Sequence, residues 1–180
     1  MICIIDYGLG NLGSIQNMID NIDVDCQITS DPKLITHSNK FILPGVGAFD
    51  TAIKMINSKE GLYESLHEQI IVKKKPILGI CLGMQLLFEN SEEGYFDGLS
   101  ILKGEIKKLK SDNKSNFKIP NVGFNKIHID SNIGIFENLN ENYFYFTHSF
   151  ALIKTLEKMN YATTKHCVNF ISSFQKNNIC

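Results

Sequence analysis

Three times in the first half of the chain an apolar run stops at a glycine-rich turn: "MICIIDYGLG" at 1–10, "KFILPGVG" at 40–47 and "KKKPILGICLG" at 73–83. With "DCQIT" they read as four strands, the last carrying Pro76 near its start, where a missing N–H does least harm. Helical patterns lie between them. Ile15, Met18, Ile19 and Ile22 follow i, i+3, i+4, i+7 spacing, and 52–56, 62–72 and 82–90 also look helical. Apolar strands alternating with amphipathic helices are buried on both faces, which predicts a mainly parallel sheet with helices on both sides. From residue 98 onward the character changes. "GLSILKGEIKKLK", "KIPNVGFNKIHI" and "YFYFTHSFAL" look like strands joined by polar loops such as "SDNKSN", an antiparallel section added to the α/β core. The 180 residues suit one domain with a sizeable core, and no repeat, linker or boundary divides 1–180.

Charge and composition narrow the function. Net charge is −1, with no basic stripe, which argues against a nucleic-acid partner. All 18 basic residues are lysine, so the chain offers no guanidinium fork for phosphate or carboxylate. No apolar run approaches the roughly 20 residues that span a bilayer. The start lacks a charged segment ahead of its apolar run and meets Asp6 at once, unlike a signal peptide. The five cysteines are odd in number and never stand as CxxC, which speaks against a disulfide framework and a zinc site and for a reducing cytoplasm.

The stretch Gly79-Ile80-Cys81-Leu82-Gly83 ends a strand and begins a helix. This is the nucleophile-elbow pattern with sulfur in place of oxygen. The bend is so sharp that side chains two residues to either side would strike neighbouring backbone, and glycine removes that conflict. The thiol is then displayed at the carboxyl end of the sheet, where open α/β sheets bind ligands. A helix N-terminus there favours thiolate. The N–H of Leu82 is free to hold an oxyanion, and Pro44-Gly45-Val46-Gly47, after the third strand, supplies a second loop whose amides can approach a substrate. The competing reading of Cys81, a structural thiol in a glycine turn, leaves the PGVG loop unexplained.

A second glycine motif points elsewhere. Gly8-Leu9-Gly10-Asn11-Leu12-Gly13 matches G-x-G-x-x-G between a strand and a helix, and Asp31 lies about 20 residues on, as in a dinucleotide fold. Its alternative is a tight strand-to-helix turn. The absence of a hydride-transfer site favours that alternative.

Taken together, "DYGLGN", "LPGVGAF", "GICLGMQLLFENSEEG", "IPNVGFN" and "YFYFTHSF" resemble the class I glutamine amidotransferases, especially the glutaminase subunits of imidazole glycerol phosphate synthase. The resemblance runs along the whole chain. It implies a flavodoxin-like α/β core and hydrolysis of glutamine to glutamate and ammonia. The ammonia passes to a cyclase subunit of (β/α)8-barrel type in a heterodimer, in the cytoplasm, with no cofactor or metal. It implies Cys81 as nucleophile, forming a γ-glutamyl thioester, and an oxyanion hole from Leu82 and the Gly45–Val46 peptide. Gln85, Glu93, Gly47, His148, Ser149 and Phe150 would hold glutamine. The chemistry agrees, since an ammonium group needs a carboxylate such as Glu93. Asp6, Tyr7, Asn11 and Asn121 would lie toward the partner.

The chain departs from the family at two places. Asn121 and Phe124 stand where histidine and tryptophan are usual, which keeps open a paralogous amidotransferase serving a surface-sugar synthase. The family's His-Pro-Glu segment, which completes the triad, has no counterpart among His37, His67, His128, His148 and His166. "NNIC" reads as the first residues of a strand. The expectation is a shortened chain with a nucleophile and little turnover, or a non-catalytic partner-binding remnant.

Overall fold

The four apolar runs form four short strands that align side by side. β1 (Ile2–Ile5), β2 (Cys26–Thr29), β3 (Lys40–Leu43) and β4 (Ile77–Gly79) make a wholly parallel sheet in the order β2-β1-β3-β4. The computed structural model describes residues 1–111, 117–129, 134–139 and 142–180. Apart from Ser111, the loop "SDNKSN" lies outside them. Beyond β4 the sheet gains one more partner. Gly79 N–H donates to Cys180 O (2.8 Å), Cys180 N–H to Ile77 O (2.9 Å) and Ile77 N–H to Asn178 O (2.9 Å), in parallel register. The resulting order, 2-1-3-4 followed by residues 178–180, is the flavodoxin-like one.

Five short helices connect these strands: α1 (Leu12–Asp20), α2 (Pro32–His37), α3 (Phe49–Ser58), α4 (Leu62–His67) and α5 (Leu82–Leu86). A π-helical turn, Glu68–Val72, continues α4. In α3, Phe49, Ala52, Ile53 and Ile56 are all buried, a complete i, i+3, i+4, i+7 face. The stripe expected on α1 is corrected. Ile19 packs with Leu12 and Ile15 against Ile4 and Ile42, whereas Met18 is 67% exposed and Ile22 64% exposed. Met18 is rotated by about 100° from Ile19 and Ile22 falls past the helix end, so neither reaches the sheet. The helix expected over 82–90 stops at Leu86, because Asn90 and Ser91 leave it to form a strand.

The second half is a seven-stranded sheet in the order β5-β6-β9-β11-β10-β7-β8. Its strands are β5 (Asn90–Ser91), β6 (Glu105–Lys108), β7 (Asn121–Ile129), β8 (Tyr143–His148), β9 (Phe150–Leu152), β10 (Asn160–Lys165) and β11 (Asn169–Gln175). All pairings are antiparallel except β5 with β6. The run "YFYFTHSFAL" is two strands, not one. It breaks at Ser149, with β8 paired to β7 and β9 to β6 and β11. A single hydrophobic cluster joins the sheets, combining Ile5, Leu43, Phe49 and Leu86 with Ile106, Leu152 and Phe174. Phe88 meets Phe174 edge-on across the seam at 5.6 Å. No helix among the described residues is long and apolar enough to cross a membrane.

Candidate active site

Cys81 sits between β4 and α5 with φ 55° and ψ −116°. Such a conformation costs a non-glycine residue about 1–3 kcal/mol and persists only where its surroundings enforce it. The surroundings do so by close approach. A Cβ on Gly79 would lie 2.6 Å from Met84 Cα, and one on Gly83 would overlap the carbonyl oxygen of Leu43. Glycine at both flanks lets α5 close down on the ends of β3 and β4. Gly45 is wedged in the same way, 2.7 Å from both Gly83 N and Tyr7 Oη if a Cβ is added. The reason inferred for the flanking glycines is therefore the one found.

The residues singled out from the sequence converge. A cavity of about 370 Å³ is lined by Val46, Gly47, Cys81, Leu82, Gln85, Glu93, His148, Ser149 and Phe150, joined by Pro120 and Thr147. Gly45 lies buried just behind it. The first sheet contributes the nucleophile and the PGVG loop, and the second contributes the wall at 147–150. Glu93 Oε2 accepts a hydrogen bond from Phe49 N–H at 3.2 Å, which fixes the carboxylate at the cavity edge. Burial raises the Glu93 pKa, the Phe49 N–H opposes this, and Asp50 adds to the rise.

The expectation of a ready thiolate is corrected. Cys81 is open to solvent at the cleft, yet its pKa is raised. Crowding by the surrounding protein is the largest cause. The Leu82 N–H works against it, and the Glu93 carboxylate reinforces it.

Of the five histidines, His148 alone lines this cavity. Its Nδ1 lies 2.9 Å from Phe150 O and, facing a carbonyl, carries the proton. Its Nε2 then accepts from Asn121 Nδ2 at 3.0 Å, and Asn125 Nδ2 donates to Asn121 Oδ1 at 3.0 Å. Gln85 Nε2 also donates to Phe150 O (3.3 Å), so this carbonyl ties α5 to β8 and β9. Burial lowers the His148 pKa, the Phe150 bond opposes this, and His166 adds to the lowering. Sequence reasoning missed this network because Asn121 and Asn125 carry no signal of their own. Only their i, i+4 separation on one strand face hints at it.

Two residues expected toward a partner are corrected. Tyr7 is 0% exposed and Asn121 is 1% exposed, so neither offers surface; Asn11 is exposed. Tyr7 donates its hydroxyl proton to Pro44 O at 2.7 Å. The second glycine motif makes a turn rather than a dinucleotide site. Asp31 caps α2, accepting from Lys33 N–H at 2.8 Å.

On the far side of Cys81 a second cavity of about 560 Å³ runs between the sheets, floored by Leu78, Met84, Phe136 and Phe174. The sequence held no sign of it, since its walls come from seven separate elements and Cys180.

Comparison with known proteins agrees with this geometry. The model of the family "Glutamine amidotransferase class-I" matches residues 3–178. The imidazole glycerol phosphate synthase subunit HisH 2 of Methanococcus maripaludis is 46% identical over 181 residues, covering 99% of this chain and 88% of that protein. The corresponding subunit HisH 1 of Campylobacter jejuni is 41% identical over 182 residues, again covering 99% and 88%. A crystal structure described as a glutamine amidotransferase superposes with a TM-score of 0.72 at 10% identity, over 99% of this chain and 87% of that one, a likeness of fold.

Proposed function

The chain belongs to the glutamine amidotransferase class-I family, and on that premise we propose that it is the glutaminase subunit of an imidazole glycerol phosphate synthase. It hydrolyses glutamine to glutamate and ammonia, and the ammonia passes to a cyclase subunit of (β/α)8-barrel type in histidine biosynthesis. The observation that carries this reading is a strained cysteine sharing one cavity with a PGVG loop, Gln85 and Glu93.

The chemistry follows from that arrangement. Sγ, once deprotonated, attacks the side-chain amide carbon, and the carbonyl electron pair moves to oxygen. The N–H groups of Leu82 and of the Gly45–Val46 peptide receive that charge. Collapse expels ammonia after its nitrogen gains a proton, leaving a γ-glutamyl thioester. Water then releases glutamate and restores the thiol. Glu93 takes the α-ammonium, while Gln85 and the backbone at Gly47 and 149–150 hold the rest of the amino acid.

A thiol held above its ordinary pKa needs a base. His148 has neither nitrogen free, and the 180 residues contain no His-Pro-Glu run. We therefore expect these 180 residues to bind glutamine with little or no turnover.

The partner's place is inferred from the outer face of the β7–β8 hairpin. Phe124 is 71% exposed, Tyr145 is 59% exposed, and the two stack edge-on at 5.3 Å. Val122 and Tyr143 extend the same apolar face. A patch of this kind marks an interaction surface.

The test is covalent trapping. A diazoketone analogue of glutamine is expected to add one mass increment at Cys81, glutamine to slow the addition, and Cys81→Ala to abolish it. Labelling that ignores glutamine would defeat the assignment. The double change Phe124→Asp, Tyr145→Asp is expected to end co-purification with the cyclase while leaving trapping intact.

A further inference from the structure

Tyr7 stands at the carboxyl end of β1, on the buried side of the loop that follows β3. Its ring is wholly enclosed, and its hydroxyl donates to the carbonyl oxygen of Pro44 at 2.7 Å. That oxygen belongs to the peptide whose nitrogen is Gly45. A trans peptide is planar, with C=O and N–H on opposite edges, so holding the oxygen fixes where the N–H points. Glycine at 45 would otherwise let this peptide rotate freely. Gly45 is also crowded where a Cβ would stand, with the Tyr7 hydroxyl, Gly83 N and Leu82 Cβ all within 2.9 Å of that position. Burial and the charge of Cys81 both raise the Tyr7 pKa, so the phenol stays protonated and stays a donor.

We propose that Tyr7 is a positioning residue for the oxyanion hole: its buried hydroxyl holds the Pro44–Gly45 peptide, the anchor from which the next peptide, Gly45–Val46, offers its N–H to the tetrahedral intermediate. The inference rests on the glutaminase reading above and adds to it a residue that touches neither substrate nor nucleophile. Its role shows only in steps that build charge on oxygen.

Two reactions of the same thiol separate that role from general support. The γ-(4-nitrophenyl) ester of glutamate acylates Cys81 through a tetrahedral oxyanion. The Sγ–C bond forms, the C–O bond breaks, nitrophenolate leaves without needing a proton, and the thiol proton goes to buffer. Iodoacetamide alkylates the same sulfur by direct displacement at saturated carbon and builds no oxyanion. For Tyr7→Phe the nitrophenolate burst, corrected with Cys81→Ala, is expected to slow by roughly tenfold to a hundredfold. That is less than the roughly 10²–10³-fold loss seen when an oxyanion donor is removed outright. Half-saturation by the ester and the alkylation rate are expected to stay within about twofold. An unchanged burst, or a burst and an alkylation slowed equally, overturns the proposal. A second measurement needs no variant. In the unaltered protein the Tyr7 hydroxyl proton is expected as a slowly exchanging NMR resonance with a cross-peak to Gly45 Hα, and its absence overturns the proposal. If the unaltered protein gives no Cys81-dependent burst, the glutaminase reading itself fails and the oxyanion role with it. A normal burst that Tyr7→Phe leaves untouched removes only the role of Tyr7.

Discussion

The two sheets serve the site by different physical means. The parallel sheet delivers chemistry through backbone. Its contributions are a cysteine on a sharp bend, the Leu82 N–H and a glycine loop, all held by steric closeness measured at Gly45, Gly79 and Gly83. The antiparallel sheet delivers a wall, built from a hydrogen-bonded chain running Asn125, Asn121, His148 and the Phe150 carbonyl. The first arrangement tolerates no added atom. The second tolerates atoms but not the loss of a partner. This difference explains why the motif-bearing half can be read from spacing and the other half cannot.

Changes in glycine should break the comparison most sharply. Gly83→Ala drives a methyl into the Leu43 carbonyl and is expected to cost more than about 4 kcal/mol, large enough to be diagnostic. Gly123→Ala in β7 has open space around it and meets only the strain of φ 135°, at about 1–3 kcal/mol. Urea titration of both variants checks the contrast. If Gly83→Ala is as stable as Gly123→Ala, close packing at the elbow is not what holds the bend.

Next in size is Asn121→Ala, which leaves His148 Nε2 without its donor and Asn125 with only the Gly123 carbonyl at 3.4 Å. It is expected to cost about 1–3 kcal/mol, since a buried polar group loses its bond. Isothermal titration should show weaker glutamine binding, while alkylation of Cys81 by iodoacetamide stays at the unaltered rate. A change in the alkylation rate instead would mean that the wall also shapes the nucleophile.

Acid and base should separate the two halves. Burial lowers the His148 pKa below its ordinary 6.5, so the unfolded chain binds the proton first as pH falls. Stability from His148 is present above 6.5 and lost on acidification. The Cys81 pKa is raised above 9.0, so the unfolded chain releases its proton first as pH rises. Stability from Cys81 is present below 9.0 and lost above it. Denaturant melts across pH are expected to show His148→Gln flattening the acid limb and Cys81→Ser flattening the alkaline one. The smallest effect belongs to Lys107, paired with Glu92 and Glu105 in the open. Lys107→Ala is expected to leave the melting temperature unchanged within error, because exposed pairs contribute little.

Much of the parallel half was legible because its strands are apolar throughout and its turns carry glycine for steric reasons. That Cys81 and the PGVG loop meet at one cavity followed from where such strands end, whereas Gln85 and Glu93 came only with the family resemblance. What escaped was set by tertiary contact. Tyr7 looked like a residue facing the partner because nothing local announces that a phenol will be enclosed beneath another strand's loop. Ser149 looked like mid-strand because one apolar run was shared between two different partners. Met18 looked like core because periodicity gives a helix face, whereas the sheet decides how much of that face it covers.

The hydrophobic cluster that runs unbroken from Ile5 to Phe174 has a consequence for motion. Among the described residues it ties β9 and β11, which back the wall at 147–150, to the sheet that carries the bend at 81. Amides of β4 and β11 should therefore exchange with deuterium in a single concerted opening, and glutamine bound between the sheets should slow exchange in both.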